Sequence, residues 1–307
     1  MMKTTNSKFK YSLVAIVTLA SAFILSSCSD GEVNSKGKAT VGVTDAAVDA
    51  ENVTGVYLAV SEIQARSNSE FQTIATFDSP EPFNVMAYQN GEVYALGEGE
   101  IEAGTYDEIR FILDDASESS YITFDDETRA AIDVPSGTTS GYKVKGDFEI
   151  ASSGQTNIIV DIDLRKALVV TGQGDYKLRP TARLITNDET GTIKGSLNVS
   201  GEDRIVVYAY AEGTYSDSEG NEPAEGEARF DGSVNSAVVA EDGSFTLAFM
   251  QEGNYELVTA TYEMNDTEET YEFKSVVEAD LWINGSITNL VTVESNSTVN
   301  LTIDLSL

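Results

Sequence analysis

The chain has 307 residues, with 51 Asp and Glu against 19 Lys and Arg, and a net charge of −32. A surface of that sign repels phosphate and excludes nucleic acid as a partner. The complete lack of His excludes Ser-His-Asp and Cys-His catalytic sets and His-ligated zinc or haem, while 41% hydrophobic residues with 12 Phe and 14 Tyr suffice for a packed core.

The N-terminus reads as an address. Lys3, Lys8 and Lys10 precede an apolar run, Tyr11 to Leu25, of 15 residues with no acid before it. That is signal-peptide length and short of the roughly 20 residues needed to span a membrane. Removing those three positive charges leaves −35 on the remaining 280 residues. The run ends in Leu25-Ser26-Ser27-Cys28, which resembles the bacterial lipobox. That resemblance implies cleavage after residue 27 and acylation of Cys28. Several acyl chains on one residue give stable anchoring where a single chain is marginal. Cys28 is also the only cysteine, so no intramolecular disulfide can form. Residues 28–38 carry the lipidated Cys and a polar, Gly-containing tether. Ser29 beside Cys28 favours the outer membrane over inner-membrane retention. The expected location is the bacterial cell envelope, lipid-anchored at the outer membrane and facing the periplasm or the surface.

Beyond the tether, short apolar-alternating runs separated by Gly, Asp, Asn and Ser predict strands with one buried face. Ile109, Phe111 and Leu113 form one such set. Ile158, Val160, Ile162 and Leu164 form another, with Asp161, Asp163 and Arg165 on the opposite, solvated face. Phe245, Leu247 and Phe249 are expected to share a face, as are Val299, Leu301, Ile303, Leu305 and Leu307. No long helical period follows Cys28, and Pro82–Tyr88 suggests at most a single helical turn. The predicted class is all-β: two β-sandwich-type domains after a cleaved lipoprotein signal peptide. The boundary is placed in the turn-rich Asn187–Gly191, giving domains at 39–187 and 188–307. The acidic stretch Ser216–Glu227 is expected as an exposed insertion.

Four stretches of the first domain resemble the bacterial lipoprotein family known as domain of unknown function 4382, over about residues 38–186. They are Val41-Gly42-Val43-Thr44-Asp45-Ala46, with Ala47 where the family usually has Pro, and Val53 to Glu62 as the following strand. Next comes Asn90-Gly91 through Gly104-Thr105-Tyr106 to Leu113, then Asp161-Ile162-Asp163-Leu164 with Tyr176-Lys177-Leu178-Arg179-Pro180. This resemblance implies no activity. The second domain resembles a carboxypeptidase-regulatory or transthyretin-like β-sandwich, through Glu241-Asp242-Gly243-Ser244-Phe245-Thr246-Leu247 and Gly253-Asn254-Tyr255. There Asp-Gly and Gly-Asn supply tight turns. That resemblance implies a spacer or adhesion module.

The candidate chemistry is carboxylate chemistry. Asp161 and Asp163, two apart on a strand, share a face. Asp114, Asp115, Asp125 and Asp126 flank the segment between them. Together these six are a candidate Ca²⁺ site, since Ca²⁺ takes six to eight oxygens, although none shows a regular calcium-loop spacing. No other cofactor is expected. Asp217, Glu219, Asn221 and Glu222 could hold a cation but fit a solvated loop better. Tyr208, Tyr210, Tyr255, Tyr262 and Tyr271 are expected as core-rim residues with hydroxyls in water. The function expected is a non-catalytic, membrane-anchored binding, adhesion or scaffolding module with a polysaccharide or protein partner. The alternatives are a carbohydrate-active or hydrolytic lipoprotein using acidic residues, and a purely structural spacer.

Overall fold

The computed structural model describes residues 35–45, 53–116, 119–186, 189–197, 203–224, 226–265 and 270–305. The signal segment, Cys28, Ala46, Ala47, most of the tether and Leu307 lie outside them. Residues Asn34–Leu307 form one compact unit. Among the described residues no helix is long and apolar enough to cross a membrane.

Strands come in two sets. The first comprises β1 (Lys36–Asp45), β2 (Val53–Leu58), β3 (Val60–Ser67), β4 (Glu70–Thr76), β5 (Phe83–Asn84), β6 (Tyr94–Glu102) and β7 (Gly104–Leu113). It continues with β8 (Tyr121–Phe124), β9 (Arg129–Asp133), β10 (Tyr142–Ile150), β11 (Gln155–Ile162), β12 (Leu168–Val170), β13 (Tyr176–Leu178) and β14 (Ala182–Thr186). The second comprises β15 (Thr190–Leu197), β16 (Arg204–Ala211), β17 (Asn235–Val238), β18 (Ser244–Gln251) and β19 (Gly253–Asn265). It ends with β20 (Thr270–Val277), β21 (Ala279–Ile283), β22 (Ser286–Thr288), β23 (Val291–Val293) and β24 (Thr298–Leu305). Among the described residues, helical turns include a 3₁₀ turn at Val85–Ala87, another at Asp217–Gly220 and the one-turn helix α1 (Leu164–Ala167).

The two sets repeat one plan. In the first, sheets ordered β14-β11-β1-β6 and β10-β7-β3-β4 enclose a core; in the second, sheets ordered β18-β15-β24-β21-β22 and β17-β16-β19-β20 do. Each set opens with a strand that pairs in parallel with a late strand, β1 with β11 and β15 with β24. That same opening strand pairs antiparallel with β6 or β18. The chain then crosses to the other sheet, where β7 sits between β3 and β10 and β19 between β16 and β20. Even the crossing is alike. Tyr106 donates its hydroxyl to the Glu102 carbonyl at 2.7 Å, and Tyr255 donates to Gln251 at 2.7 Å. Each tyrosine follows a glycine two residues earlier, and each pins the corner between sheets, as tyrosine corners do in other sandwiches.

Apolar alternation explains most strands. Ile109, Phe111 and Leu113 face the first core, and Leu301 and Ile303 the second. Three expectations change. Val53 to Glu62 is not one strand: it breaks at the fully buried Ala59, so that β2 joins the sheet β12-β13-β9-β8-β2-β5 while β3 joins another. Phe249 leaves the face of Leu247, because a bulge in the β15–β18 pairing puts it at φ 55° and hands its core position to the fully buried Met250. β1 begins at Lys36, inside the expected tether, where Lys38 meets Glu98 at 2.9 Å.

The stretch 216–227 is likewise no free insertion. With Phe230 it closes over the outer face of β16 and β19, where Tyr208, Tyr210 and Tyr262 form a small second cluster. These tyrosines are core rather than rim. Their hydroxyls stay inside the protein, with Tyr208 and Tyr262 bonding each other at 2.6 Å.

Candidate functional site

The motif residues of the first set converge on one buried knot. Thr44 and Asp45 end β1. The Thr44 hydroxyl lies 2.9 Å from the Tyr88 carbonyl and 2.8 Å from that of Glu92. This holds the loop whose Asn90-Gly91 turn, at φ 55° and 91°, needs residues that accept left-handed backbone. Asp45 accepts from the Leu164 amide at 3.2 Å and from the Gln89 side chain at 3.1 Å. It therefore caps α1, a role that the N-cap residue Asp163 leaves open.

Asp161 and Asp163 do not line a solvated face. β11 is covered on both sides from Ile158 onward, because β1 and β14 flank it and other layers pack on each face. Asp161 is 3% exposed and ion-pairs with Arg183, directly opposite on β14. Asp163 lies past the strand end, where Arg165 reaches it at 3.1 Å and Lys166 at 3.4 Å. Burial alone would raise the Asp163 carboxyl, but these two cations more than offset it and hold it below the usual range. Burial raises Asp45 well above its ordinary value; the neighbouring Asp161 and Asp163 charges add to this, while the Leu164 amide and Gln89 oppose it.

The knot reaches across to the second set. The Arg165 guanidinium, its side chain 4% exposed, donates to the Phe230 carbonyl at 2.9 Å and sits 5.2 Å from the Tyr208 ring centroid. Lys166 donates to the Ser233 carbonyl at 2.8 Å, and Arg179 to that of Gly226 at 3.0 Å. The loop that receives them is held by Glu219, which accepts from the Gly232 amide at 2.8 Å and the Tyr210 hydroxyl at 3.1 Å. Glu222 pairs with Arg229 at 2.8 Å. These acids brace a loop; they do not form a cation cage.

The other predicted acids stand apart. Asp114 and Asp115 line a cavity of about 310 Å³ with Asp133, Ser119 and Ser136. Asp125 and Asp126 are exposed in the β8–β9 turn, where Asp126 accepts from the Thr128 amide at 2.9 Å and is held low by Thr128. The six candidate calcium ligands are thus spread over three places. Among the described residues no group of three or more Asp, Glu or Cys is arranged to hold a metal ion.

A different surface escaped the sequence reading. On the outer face of the sheet β18-β15-β24-β21-β22, the paired positions Ser244, Ser196, Thr302, Trp282 and Ile287 form one row across five strands. A shallow depression of about 660 Å³ lies along it. Its residues were passed over because no local motif unites positions from 194 to 302.

Comparison with known proteins divides the chain. Residues 36–180 match the family described as Domain of unknown function (DUF4382). The DUF4382 match spans β1 to β13, and so contains Thr44, Asp45, Asp161, Asp163 and Arg165. No curated protein matches the chain. Among solved structures, the chain is similar to the Bacillus anthracis TIE protein, at 9% identity and TM-score 0.19 over 88% of this chain and 34% of that one. It spans about a third of that protein. It is also similar to BcpA, the major pilin subunit of Bacillus cereus, at 7% identity and TM-score 0.22, covering 88% and 70% of the two chains. The major pilin from Streptococcus pyogenes gives 12% identity and TM-score 0.19, covering 88% and 98%. Likeness at this level does not extend to function.

Proposed function

We propose that this protein is a non-catalytic binding or adhesion module, tethered by lipidated Cys28 to the outer membrane of a bacterial cell envelope and carrying a DUF4382-type β domain followed by a transthyretin-like β-sandwich on its anchor. One observation supports this above others. The buried carboxylates named above are taken up by structural contacts: Asp163 by Arg165 and Lys166, whose other bonds join the two sandwiches, Asp161 by Arg183 across two strands of one sheet, and Asp45 by the start of α1. A catalytic carboxylate pair must instead be free to meet a substrate at a set separation.

The anchor is tested by Cys28→Ser with cell fractionation. The protein is expected to leave the membrane fraction; retention there would discard the anchor. The non-catalytic reading is tested with Asp163→Asn. A structural role predicts a lower melting temperature and no change in any substrate's turnover. Loss of a hydrolytic activity in a variant that melts normally would overturn it.

A further inference from the structure

The outer face of the second sandwich carries an exposed tryptophan in a polar depression, and the inference drawn from it rests on the binding-module reading. Trp282, the only tryptophan of the chain, is 37% exposed there, with Ile287 beside it at 54%. Lys194, Ser196, Asn284, Asn300 and Thr302 complete the depression. In a protein with 51 acids, no Asp or Glu lines it. Asp280 and Asp304 stand opposite each other one row further along β21 and β24, and Asp242 is turned to Ser244, accepting from its amide and hydroxyl. Among the described residues, none of these five polar side chains makes a hydrogen bond or an ion pair, and the Trp282 ring pairs with no other ring or cation. An exposed indole thus stands among unspent donors and acceptors.

That combination suits a sugar better than a protein. A pyranose ring has an apolar C–H face that stacks on indole and a rim of hydroxyls that bond Asn, Ser, Thr and Lys side chains. A protein interface of ordinary size buries about 800 Å² per partner around an apolar core, whereas here Trp282 and Ile287 are the only large apolar side chains in a row of hydroxyls. The net charge of −32 disfavours approach of polyanions. We propose that this face binds a neutral polysaccharide, with Trp282 as the stacking platform and Lys194, Asn284 and Asn300 as hydrogen-bonding groups.

Because Trp282 is the only tryptophan, its fluorescence reports on the site directly. The full chain in detergent micelles would be titrated with cellohexaose, laminarihexaose, xylohexaose and mannohexaose, followed by calorimetry and chromatography of the sugars. At least one sugar is expected to change the emission saturably and be recovered intact. Trp282→Ala should weaken its binding at least tenfold, equivalent to about 1.4 kcal/mol, and Asn300→Ala a few-fold, both with unchanged circular-dichroism melts. Should Trp282→Ala fail to fold, Lys194→Glu and Asn300→Ala at exposed positions provide the same comparison. No saturable response to any sugar, or full affinity in the variants, would overturn this site and leave the module reading standing. Stronger binding of alginate, titrated alongside as the anionic control, would overturn the neutral-sugar assignment. Shortened sugars in the eluate would overturn the non-catalytic reading itself.

Discussion

Arg165 shows how much structure one side chain can hold. Its guanidinium leaves water almost completely, and it meets Asp163, the Phe230 carbonyl and the Tyr208 ring. Removing one partner of such a contact strands the other charge. Arg165→Met is therefore expected to cost about 3–5 kcal/mol, measured by urea unfolding; a loss below about 1 kcal/mol would show that Lys166 alone satisfies Asp163. Asp45 makes a pH prediction. Its raised folded pKa means that the native state keeps a proton which the unfolded chain releases near pH 4. Its stabilising contribution is full below about pH 4 and is lost as pH rises through the folded value. Asp163, held low, acts the other way: its contribution is present above about pH 4 and is lost as pH falls through its folded value. Asp45→Asn should therefore flatten the decline of the melting temperature as pH rises above about 4 and leave acid unfolding in place. An equally steep decline in the variant would exclude Asp45 as its source.

Elements explain what the sequence could reveal and what it could not. Alternation exposed β7, β11 and β24, because period two is a local signal. It misplaced Asp161, since nothing within β11 tells that both of its faces are covered. It misjudged Phe249, since a bulge shifts the pattern by one residue. The break at Ala59 and the closure of 216–227 over Tyr208 and Tyr210 depend on contacts far apart in sequence, as does the row through Trp282. The Asp242-Gly243 turn was legible, because Gly243 sits at φ 83° and a Cβ there would meet the Leu197 carbonyl. Gly243→Ala should cost at least about 1–2 kcal/mol by thermal melting. The two corners allow a paired test: Tyr106→Phe and Tyr255→Phe should each cost about 1 kcal/mol in urea unfolding. Sharply unequal costs would mean that the repeated geometry is not matched by equal energetics.

At the scale of the molecule, Arg165, Lys166 and Arg179 couple two cores that share no sheet. Calorimetry should show one unfolding transition, and Arg165→Met with Lys166→Met should split it into two. A single transition in that double variant would place the coupling elsewhere. The excess of acids sets the salt response. Because the acids among the described residues form no cage, calcium added after chelator treatment should raise the melting temperature no more than sodium chloride of equal ionic strength, through screening alone. A saturable extra rise would identify an organised calcium site.

The parallel pairing of β15 with β24 has a mechanical consequence. The chain enters β15 at one end of the pair and leaves β24 at the other, so a pull between these points slides the strands along each other. The rungs of the ladder from Thr192–Thr298 to Leu197–Ile303 are then loaded together instead of opening one by one. β1 and β11 are also parallel, but the chain leaves the first set through β14, antiparallel to β11, so the same pull unzips β14 rung by rung. A chain held at a surface and tugged at its far end would thus meet one clamp, in the second sandwich, that fails abruptly at high force, and a first set that opens gradually from β14.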